Sequence, residues 1–324
     1  MKIGRIKLEV PVALAPMAGV TDLPYRVICS ELGCGFTISE MVSAKGLLFK
    51  NKKTKKMLEI APEERPTAIQ LFGSNPNELA EAAKIVEASG ADIIDFNMGC
   101  PVPKIVNNGD GSALMKNEKL AGEVLKALVS SVKIPVTVKF RAGWSAENLN
   151  AVNIAKIAEA SGVAAVAVHG RTREQFYSGS ANWDIIRKVK ENVNIPVFGN
   201  GDILSAVDVK KIMEKTNCDG VMIGRGADGN PWIFAEIKAN LLGLAYKPPS
   251  LDEKFELMIR HLKMLIEFKG EVIACKEMRR HVNTYVKGLP YAAKYRSVFN
   301  ELSSFNEFEE ELLEYQKKIK RIEL

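Results

Sequence analysis

Cys100 stands in the run Asn97-Met98-Gly99-Cys100-Pro101. A thiol of ordinary pKa, ~8.5, is protonated at neutral pH and can give a proton to a carbanion. A lone cysteine is more often a small buried hydrophobe. Its place on a Gly-Cys-Pro turn, three residues after Asn97, favours the reactive reading, and a nucleophilic pair with His169 stays open beside it. Lys139 and Arg141 lie two apart in an apolar run, so they share one strand face. Half-buried cations need partners, either a bound anion or an ion pair with Glu40 or Asp95. Asn200-Gly201-Asp202 and Gly224-Arg225-Gly226 are glycine-rich and each leads into a helical pattern. Bare N–H groups beside a helix N-terminus make a phosphate cradle.

These groups need elements to converge them. From residue 12 the chain alternates apolar strand-like runs with longer amphipathic ones. The strand candidates are Val12–Ala18, Phe36–Glu40, Thr67–Phe72, Ile93–Asn97, Val136–Arg141, Ala165–His169, Val197–Asn200 and Gly220–Gly224. Each is continuously apolar, as a strand buried on both faces should be. Between them, 77–89, 120–132 and 148–161 carry helical periodicity, and Gly33, Gly90 and Gly162 read as helix stops. Eight such units predict an α/β fold, a (β/α)₈ TIM barrel, whose reactive groups sit at the C-terminal ends of the strands. The alternative, an open doubly wound sheet, wants a GxGxxG after its first strand; Ala15-Pro16-Met17-Ala18-Gly19-Val20-Thr21-Asp22 is not one. Residues 2–11 read as a hairpin turning near Gly4, placed to plug the barrel's floor.

Lys247-Pro248-Pro249-Ser250 reads as a linker. It divides the chain into a barrel, 1–245, and an all-helical C-terminal domain, 250–324. Phe255, Met258, Ile259, Leu262, Leu265 and Ile266 keep the spacing of one buried face. On the next helix, near 271–287, Lys276, Arg279, Arg280, Asn283 and Lys287 fall on one side and Cys275, Met278, Val282, Tyr285 and Val286 on the other. That predicts a cationic stripe over a buried face.

The chain has 324 residues, 47% hydrophobic and 26% charged, which excludes a disordered or coiled-coil class. Its net charge of +6 is compatible with a polyanionic partner. Lys45, Lys50, Lys52, Lys53, Lys55 and Lys56 crowd one segment without an acid, either a solvated surface or a second basic patch. The N-terminus lacks a signal-like apolar stretch, and no run approaches a membrane span. Five scattered cysteines without CxxC spacing and three histidines predict free thiols, no metal site and a cytoplasmic protein.

Taken together, Ala15–Asp22, Asn97–Pro101, Val138-Lys139-Phe140-Arg141-Ala142-Gly143-Trp144, His169-Gly170-Arg171-Thr172, Asn200-Gly201-Asp202-Ile203 and Gly224-Arg225-Gly226-Ala227 resemble the tRNA-dihydrouridine synthase family. The order is kept from residue 11 to about 240, and the basic helical C-terminus fits as well. The wording around Met41–Ala44 and Gly229–Trp232 is most similar to the bacterial B-type branch. The resemblance implies FMN as prosthetic group, NADPH as electron donor and tRNA as partner, with hydride going to uracil C6 and a proton from a cysteine to C5. Carried over by position, Cys100 is the acid. Pro16, Met17, Ala18, Gln70, Lys139, His169, Asn200, Gly201, Asp202, Gly224 and Arg225 hold FMN. Asn97 holds the uracil edge. The substrate and RNA side takes in Lys104, Arg141, Arg171 and Arg173, and the stripe adds Lys276 and Arg280. A monomer is expected. Tyr25 stands where the family often has Phe, a change expected to be neutral.

The rivals are a flavin barrel dehydrogenase acting on a free pyrimidine or other small molecule, a non-redox barrel lyase, and an RNA-binding protein without catalysis. The first leaves the cationic helix unexplained. The intact set of strand-end residues argues against the last.

Overall fold

The computed structural model describes residues 1–323. Ten strands form two sheets. β1 (Lys2–Ile3) and β2 (Ile6–Lys7) make an antiparallel hairpin. β3 (Val12–Leu14), β4 (Thr37–Ser43), β5 (Thr67–Phe72), β6 (Ile93–Met98), β7 (Val136–Arg141), β8 (Ala165–His169), β9 (Val197–Asn200) and β10 (Gly220–Ile223) make one parallel sheet. It closes on itself where Ala13 bridges Phe36 and the Leu14 N–H donates to the Phe36 carbonyl at 2.9 Å. Helices fill the connections, and the result is a (β/α)₈ barrel.

Strand alternation separates two apolar layers. Ala68, Ile93, Ala165, Ala167, Phe198 and Met222 face the axis, while Ile69, Ile94, Val166 and Val221 pack against the helices. Ile3 and Leu8 of the hairpin segment are fully buried among the axial residues, so the hairpin caps the barrel interior.

Two strand boundaries differ from the sequence reading by more than one residue. The first strand ends at Leu14. The Ala15 N–H still donates to the Ile223 carbonyl at 2.8 Å, but Pro16 has no N–H to continue the ladder. β4 runs on to Ser43 because a bulge between Ile38 and Met41 restores its register with β5. The bulge also carries Met41 to the mouth of the barrel.

Beyond Ser250, which caps its helix with Glu253 in a reciprocal box, four helices follow: Leu251–Lys269, Glu271–Tyr285, Ala292–Phe299 and Phe305–Glu323. Cys275, Met278, Val282, Tyr285 and Val286 are buried, whereas Lys276 and Lys287 are exposed, as the predicted stripe requires. Arg279 departs from it, because its guanidinium donates to the Leu302 carbonyl at 2.8 Å and holds the turn between the last two helices. No helix among the described residues is long and apolar enough to cross a membrane.

The helices dock on the barrel through polar contacts. Tyr25 is fully buried, donates its hydroxyl to the Ala227 carbonyl and lies 5.5 Å from the His261 ring and 5.7 Å from the His281 ring. That hydroxyl is a second donor to a carbonyl that already accepts from the Asn230 N–H at 2.9 Å, so a phenylalanine would remove one bond without leaving the carbonyl unpaired. Lys269 joins Asp22 (2.6 Å) and Glu277 (2.5 Å). Arg280 donates to the Ala18 carbonyl at 2.9 Å. At Gly229, φ is +75° and a Cβ would meet Thr284 at 2.5 Å, so glycine alone permits this approach.

One buried cation anchors the segment that follows β3. Arg26 binds Glu64 at 2.5 Å and donates to the Thr21 carbonyl at 3.1 Å and the Glu59 carbonyl at 3.0 Å, with both side chains inaccessible to solvent. Removing one partner of such a pair leaves a buried charge, so Arg26→Met should lower unfolding stability by about 3–5 kcal/mol. Adding Glu64→Gln should return part of that loss. Chemical denaturation of both variants measures the difference.

Candidate active site

The C-terminal ends of the barrel strands open into one cavity of ≈ 530 Å³, a volume that suits a small-molecule or cofactor ligand. Pro16, Met17, Ala18, Gln70, Asn97, Cys100, Lys139, Arg141, His169, Asn200, Gly201, Asp202, Gly224 and Arg225 all line it. Arg280 reaches it from the helical segment.

Cys100 is half-buried on the turn after β6. Its N–H donates to Asn97 Oδ1 at 2.9 Å, and the Gly99 N–H donates to the same oxygen at 3.1 Å. Its carbonyl accepts from the Ser112 hydroxyl at 2.9 Å and N–H at 3.1 Å. The thiol is thus presented by a turn held on both sides. Burial pushes its pKa up, and the Val102 N–H, Arg141 and Lys139 only soften that shift, so the group is a thiol at neutral pH. His169 makes no hydrogen bond to it, and the nucleophilic pairing finds no support in the geometry.

The strand-face rule explains what surrounds Asn97. Asp95 and Asn97 alternate to the same side of β6 and meet Gln70 from β5 and Thr137 from β7. Asp95 accepts from Gln70 Nε2 at 2.6 Å and from the Thr137 hydroxyl at 2.6 Å. Gln70 Oε1 accepts from Asn97 Nδ2 at 2.8 Å. Asn97 therefore has both polar ends engaged within the protein, its oxygen by the Cys100 turn and its nitrogen by Gln70, and it also lines the cavity.

Four cations and two carboxylates, Asp202 and Asp228, line the cavity. Lys139 lies half-buried at its base. Asp95 is committed to Gln70 and Thr137, and Glu40 to the Gly19 N–H at 2.6 Å, so neither expected ion pair forms. Burial and the neighbouring Arg141 lower the Lys139 pKa to about 8 against the pull of Asp95 and Cys100. His169 is buried and pushed far toward its neutral form by burial and by Lys139, Arg141, Arg171 and Arg225. A neutral imidazole offers one donor and one acceptor.

The loops after β9 and β10 form the cradle. Among the described residues, the N–H groups of Gly201, Asp202, Arg225 and Gly226 find no backbone acceptor. Gly201 has φ +118°, and a Cβ there would meet Ala181 at 2.7 Å and the His169 ring at 3.0 Å. A Cβ on Gly224 would stand 3.6 Å from Met17 Sδ, at the cavity wall. Asp202 does not face an anion directly. Its carboxylate takes Arg171 at 2.8 Å, the Ala181 N–H at 2.7 Å and Arg225 at 3.2 Å, and these partners outweigh burial and hold its pKa low. Asn200 donates to the Met222 carbonyl at 2.7 Å and so ties the two loops together.

Of the residues expected on the substrate and RNA side, Arg141 lines the cavity, whereas Arg171 and Arg173 do not. Arg171 is 2% exposed and gives its donors to Ser178, Gly179 and Asp202, so it shapes the loop after β8 rather than an outer face. Arg141 donates to the carbonyls of Gly99 (2.7 Å), Thr172 (3.0 Å) and Phe176 (2.8 Å), joining the β6 and β8 loops. Arg173 lies 4.7 Å from the Trp144 ring, away from the cavity. Lys104 is exposed on the short helix after Cys100, and Lys276 on the helical stripe. Phe176 and Tyr177 also line the cavity, with Tyr177 4.9 Å from the Arg225 guanidinium. They sit in a polar loop without periodicity, so the sequence offered no signal for them. Asp95 had one: it lies two residues before Asn97 on the same strand.

A profile of the family described as dihydrouridine synthase (Dus) matches residues 13–322. A probable tRNA-dihydrouridine synthase of Rickettsia conorii is 43% identical over 97% of this chain and 96% of its own length. The tRNA-dihydrouridine synthase B of Pseudomonas putida is 44% identical over 93% of this chain and 90% of its own. Among solved structures, histamine dehydrogenase from Rhizobium aligns with a TM-score of 0.59 at 14% identity, covering 82% of this chain and 50% of that one, which speaks to the barrel fold alone. With the profile spanning residues 13–322 and both relatives aligned over at least 90% of their own length, this chain belongs to the dihydrouridine synthase family.

Proposed function

We propose that the protein reduces specific uridines of tRNA to 5,6-dihydrouridine, with FMN as its prosthetic group and NADPH as the electron donor. The observation that carries the reading is a single cavity lined by a protonated thiol, Cys100, and an ammonium group, Lys139, that no carboxylate pairs. The names of the relatives supply the tRNA.

FMN fits the cavity in charge and shape. An unpaired cation at the base, neutral His169 beside it and bare N–H groups at the β9 and β10 loops suit an anionic ring edge and a phosphate. Pro16, Met17, Ala18 and Gln70 would flank the ring, Lys139 and His169 its polar edge, and Asn200, Gly201, Asp202, Gly224 and Arg225 the phosphate end. When bound and reduced by NADPH, that group supplies a hydride to C6 of the uracil. Cys100 then transfers its Sγ proton to C5, and nearby Arg141 and Lys139 ease the charge left on sulfur. Burial keeps the proton on Cys100 until it is needed, which is what a general acid at neutral pH requires.

The target base must leave its stack to reach this depth, at a cost of a few kcal/mol. Backbone phosphate contacts can offset that cost. In this reading residues 250–324 form the RNA-binding unit, with Lys276 on its exposed stripe, and Lys104 and the Lys45–Lys56 segment extend the contact along the barrel rim. Arg280, at the cavity mouth, would meet the nucleotide that carries the target base. The protein acts as a cytoplasmic monomer.

Cys100→Ala should retain bound flavin and its reduction by NADPH while dihydrouridine formation falls by about 10²–10⁴-fold, the range of general acid catalysis. Anaerobic single-turnover with tRNA lacking the modification separates the two steps. Undiminished transfer to tRNA would remove Cys100 from the acid role, and turnover of free uridine but not of tRNA would favour a small-molecule dehydrogenase.

Lys139 yields a pH prediction with a definite sign. Its folded pKa, about 8, lies below the ordinary 10.5, so the charged form is disfavoured in the ligand-free fold. That penalty is fully present below pH 8 and disappears as the pH rises through the interval from about 8 to 10.5. Lys139→Met should therefore stabilise the flavin-free protein at pH 7 in thermal melts yet weaken FMN binding. In the unaltered protein, FMN affinity should decline as the pH passes about 8.

Lys276→Glu with Lys287→Glu should weaken tRNA binding and reduce the slope of log affinity against log salt by about one per lost phosphate contact. Filter binding across a salt series measures both, and an unchanged slope would place RNA recognition elsewhere.

A further inference from the structure

We propose that Asp95 is a positioning residue: its carboxylate sets the direction of the Gln70 and Asn97 amides and, through them, the turn that carries Cys100. The consequence for turnover rests on the acid role of Cys100 given above. The directional coupling itself does not.

Hydrogen-bond polarity links the three side chains. A carboxamide is a donor at one end and an acceptor at the other, and a buried one is stable in the orientation its neighbours demand. An ionised carboxylate only accepts. Asp95 therefore requires the NH₂ end of Gln70, 2.6 Å away. That turns Gln70 Oε1 toward Asn97, which must answer with its own NH₂ end, at 2.8 Å. Asn97 is left with its oxygen facing the N–H groups of Gly99 and Cys100. Those N–H groups are fixed donors, so the far end of the chain demands the same direction that Asp95 imposes at the near end. The Thr137 hydroxyl satisfies the second carboxylate oxygen at 2.6 Å and keeps the acid oriented. Asp95 is 1% exposed and Gln70 fully buried, so water does not compete for either. A reversed amide anywhere would place oxygen against oxygen in a dry site, at a cost of about 1–3 kcal/mol for each unsatisfied group.

A carboxylate exchanged to the other end gives a sharp test. In Asn97→Asp, the turn N–H groups keep an acceptor, but Gln70 lies between two acceptor-only groups and one contact becomes repulsive. Adding Asp95→Asn permits the opposite polarity: Asn at 95 donates to Gln70 Oε1, Gln70 Nε2 donates to Asp at 97, and every partner is satisfied again. A second substitution should thus repair the first.

The full-length single and double variants are compared by denaturation and by the alkylation of Cys100 with iodoacetamide. The other four cysteines are buried, so the reaction reports this thiol. At high pH, where the thiol is fully ionised, the plateau rate reads its placement rather than its acidity. We expect Asn97→Asp to lower the denaturation midpoint and alter the plateau rate by at least about fivefold, and the double variant to return to within about twofold, a non-additive coupling of contacting sites. The cycle is repeated with Gln70→Met in the background. A relay through Gln70 loses its coupling there, whereas plain repulsion between positions 95 and 97 retains it.

A double variant no better than Asn97→Asp, or a repair that persists without Gln70, overturns the proposal. If the Gln70→Met chain does not fold, Asp95→Asn alone decides. With a neutral amide oxygen in place of the carboxylate, Gln70 is held less firmly, and amide exchange at Gly99 and Cys100 should accelerate by at least about threefold; unchanged exchange overturns the proposal. These readouts need no catalysis. An active Cys100→Ala enzyme would end the acid reading and leave the relay to be judged by stability and exchange.

Discussion

Closing eight parallel strands into a barrel brings Lys139, Arg141, Arg171 and Arg225 into one mouth, where their charges must be met in a partly dry space. Most of the local structure answers that demand. Arg141 and Arg171 direct their guanidinium groups at loop carbonyls, which ties the connections after β6 and β8 to each other. Asp202 stands between Arg171 and Arg225 and neutralises part of both. His169 gives up its proton. Lys139 is left without a carboxylate, and a ligand bearing negative charge completes its environment. The same field favours an anion in the cavity and lowers the energy of a thiolate at Cys100 once its proton has gone.

The helical segment completes the mouth. Arg280 binds the Ala18 carbonyl from outside the barrel, while Glu40 binds the Gly19 N–H from within, so the turn after β3 is held from two sides. Tyr25, His261, His281 and Tyr285 make a buried polar-aromatic joint behind it, with Tyr285 and His261 in hydrogen-bond contact at 3.2 Å. A surface charge on one helix and the geometry of the cavity are therefore parts of one packed body. Docking of a polyanion on the stripe would act next to the residues that hold the cofactor in the proposed reaction.

Much of the fold was legible because parallel barrel strands are buried on both faces. Continuous apolar runs such as Ile93–Asn97 and Ala165–His169 stand out against amphipathic connections, and the observed strands fall on the predicted ones. The errors came where tertiary pairing, not local pattern, sets the boundary: Pro16 ends β3 for want of an N–H, and the bulge at Ile38–Met41 lengthens β4. The cavity-lining set was legible for a related reason. Residues at strand ends share the barrel mouth whatever the loops do. Phe176 and Tyr177 escaped because a loop's path depends on contacts distant in sequence, here the carbonyl contacts of Arg141 and Arg171.

What the sequence determined by itself was the barrel, the family and the identity of the groups at its rim, since periodicity and residue order are local properties of the chain. What only the tertiary structure decided was how those groups are used. Arg171 and Asn97 have the residue types of ligand contacts, yet Arg171 Nη2 is engaged by Gly179 and Asp202, and the Asn97 amide by Gln70 and the turn N–H groups. Lys139, two residues from Arg141 on the same strand, remains unpaired because Asp95 is already engaged by β5 and β7. Hydrogen-bond satisfaction is a property of the whole neighbourhood, and a neighbourhood exists only once the chain has folded.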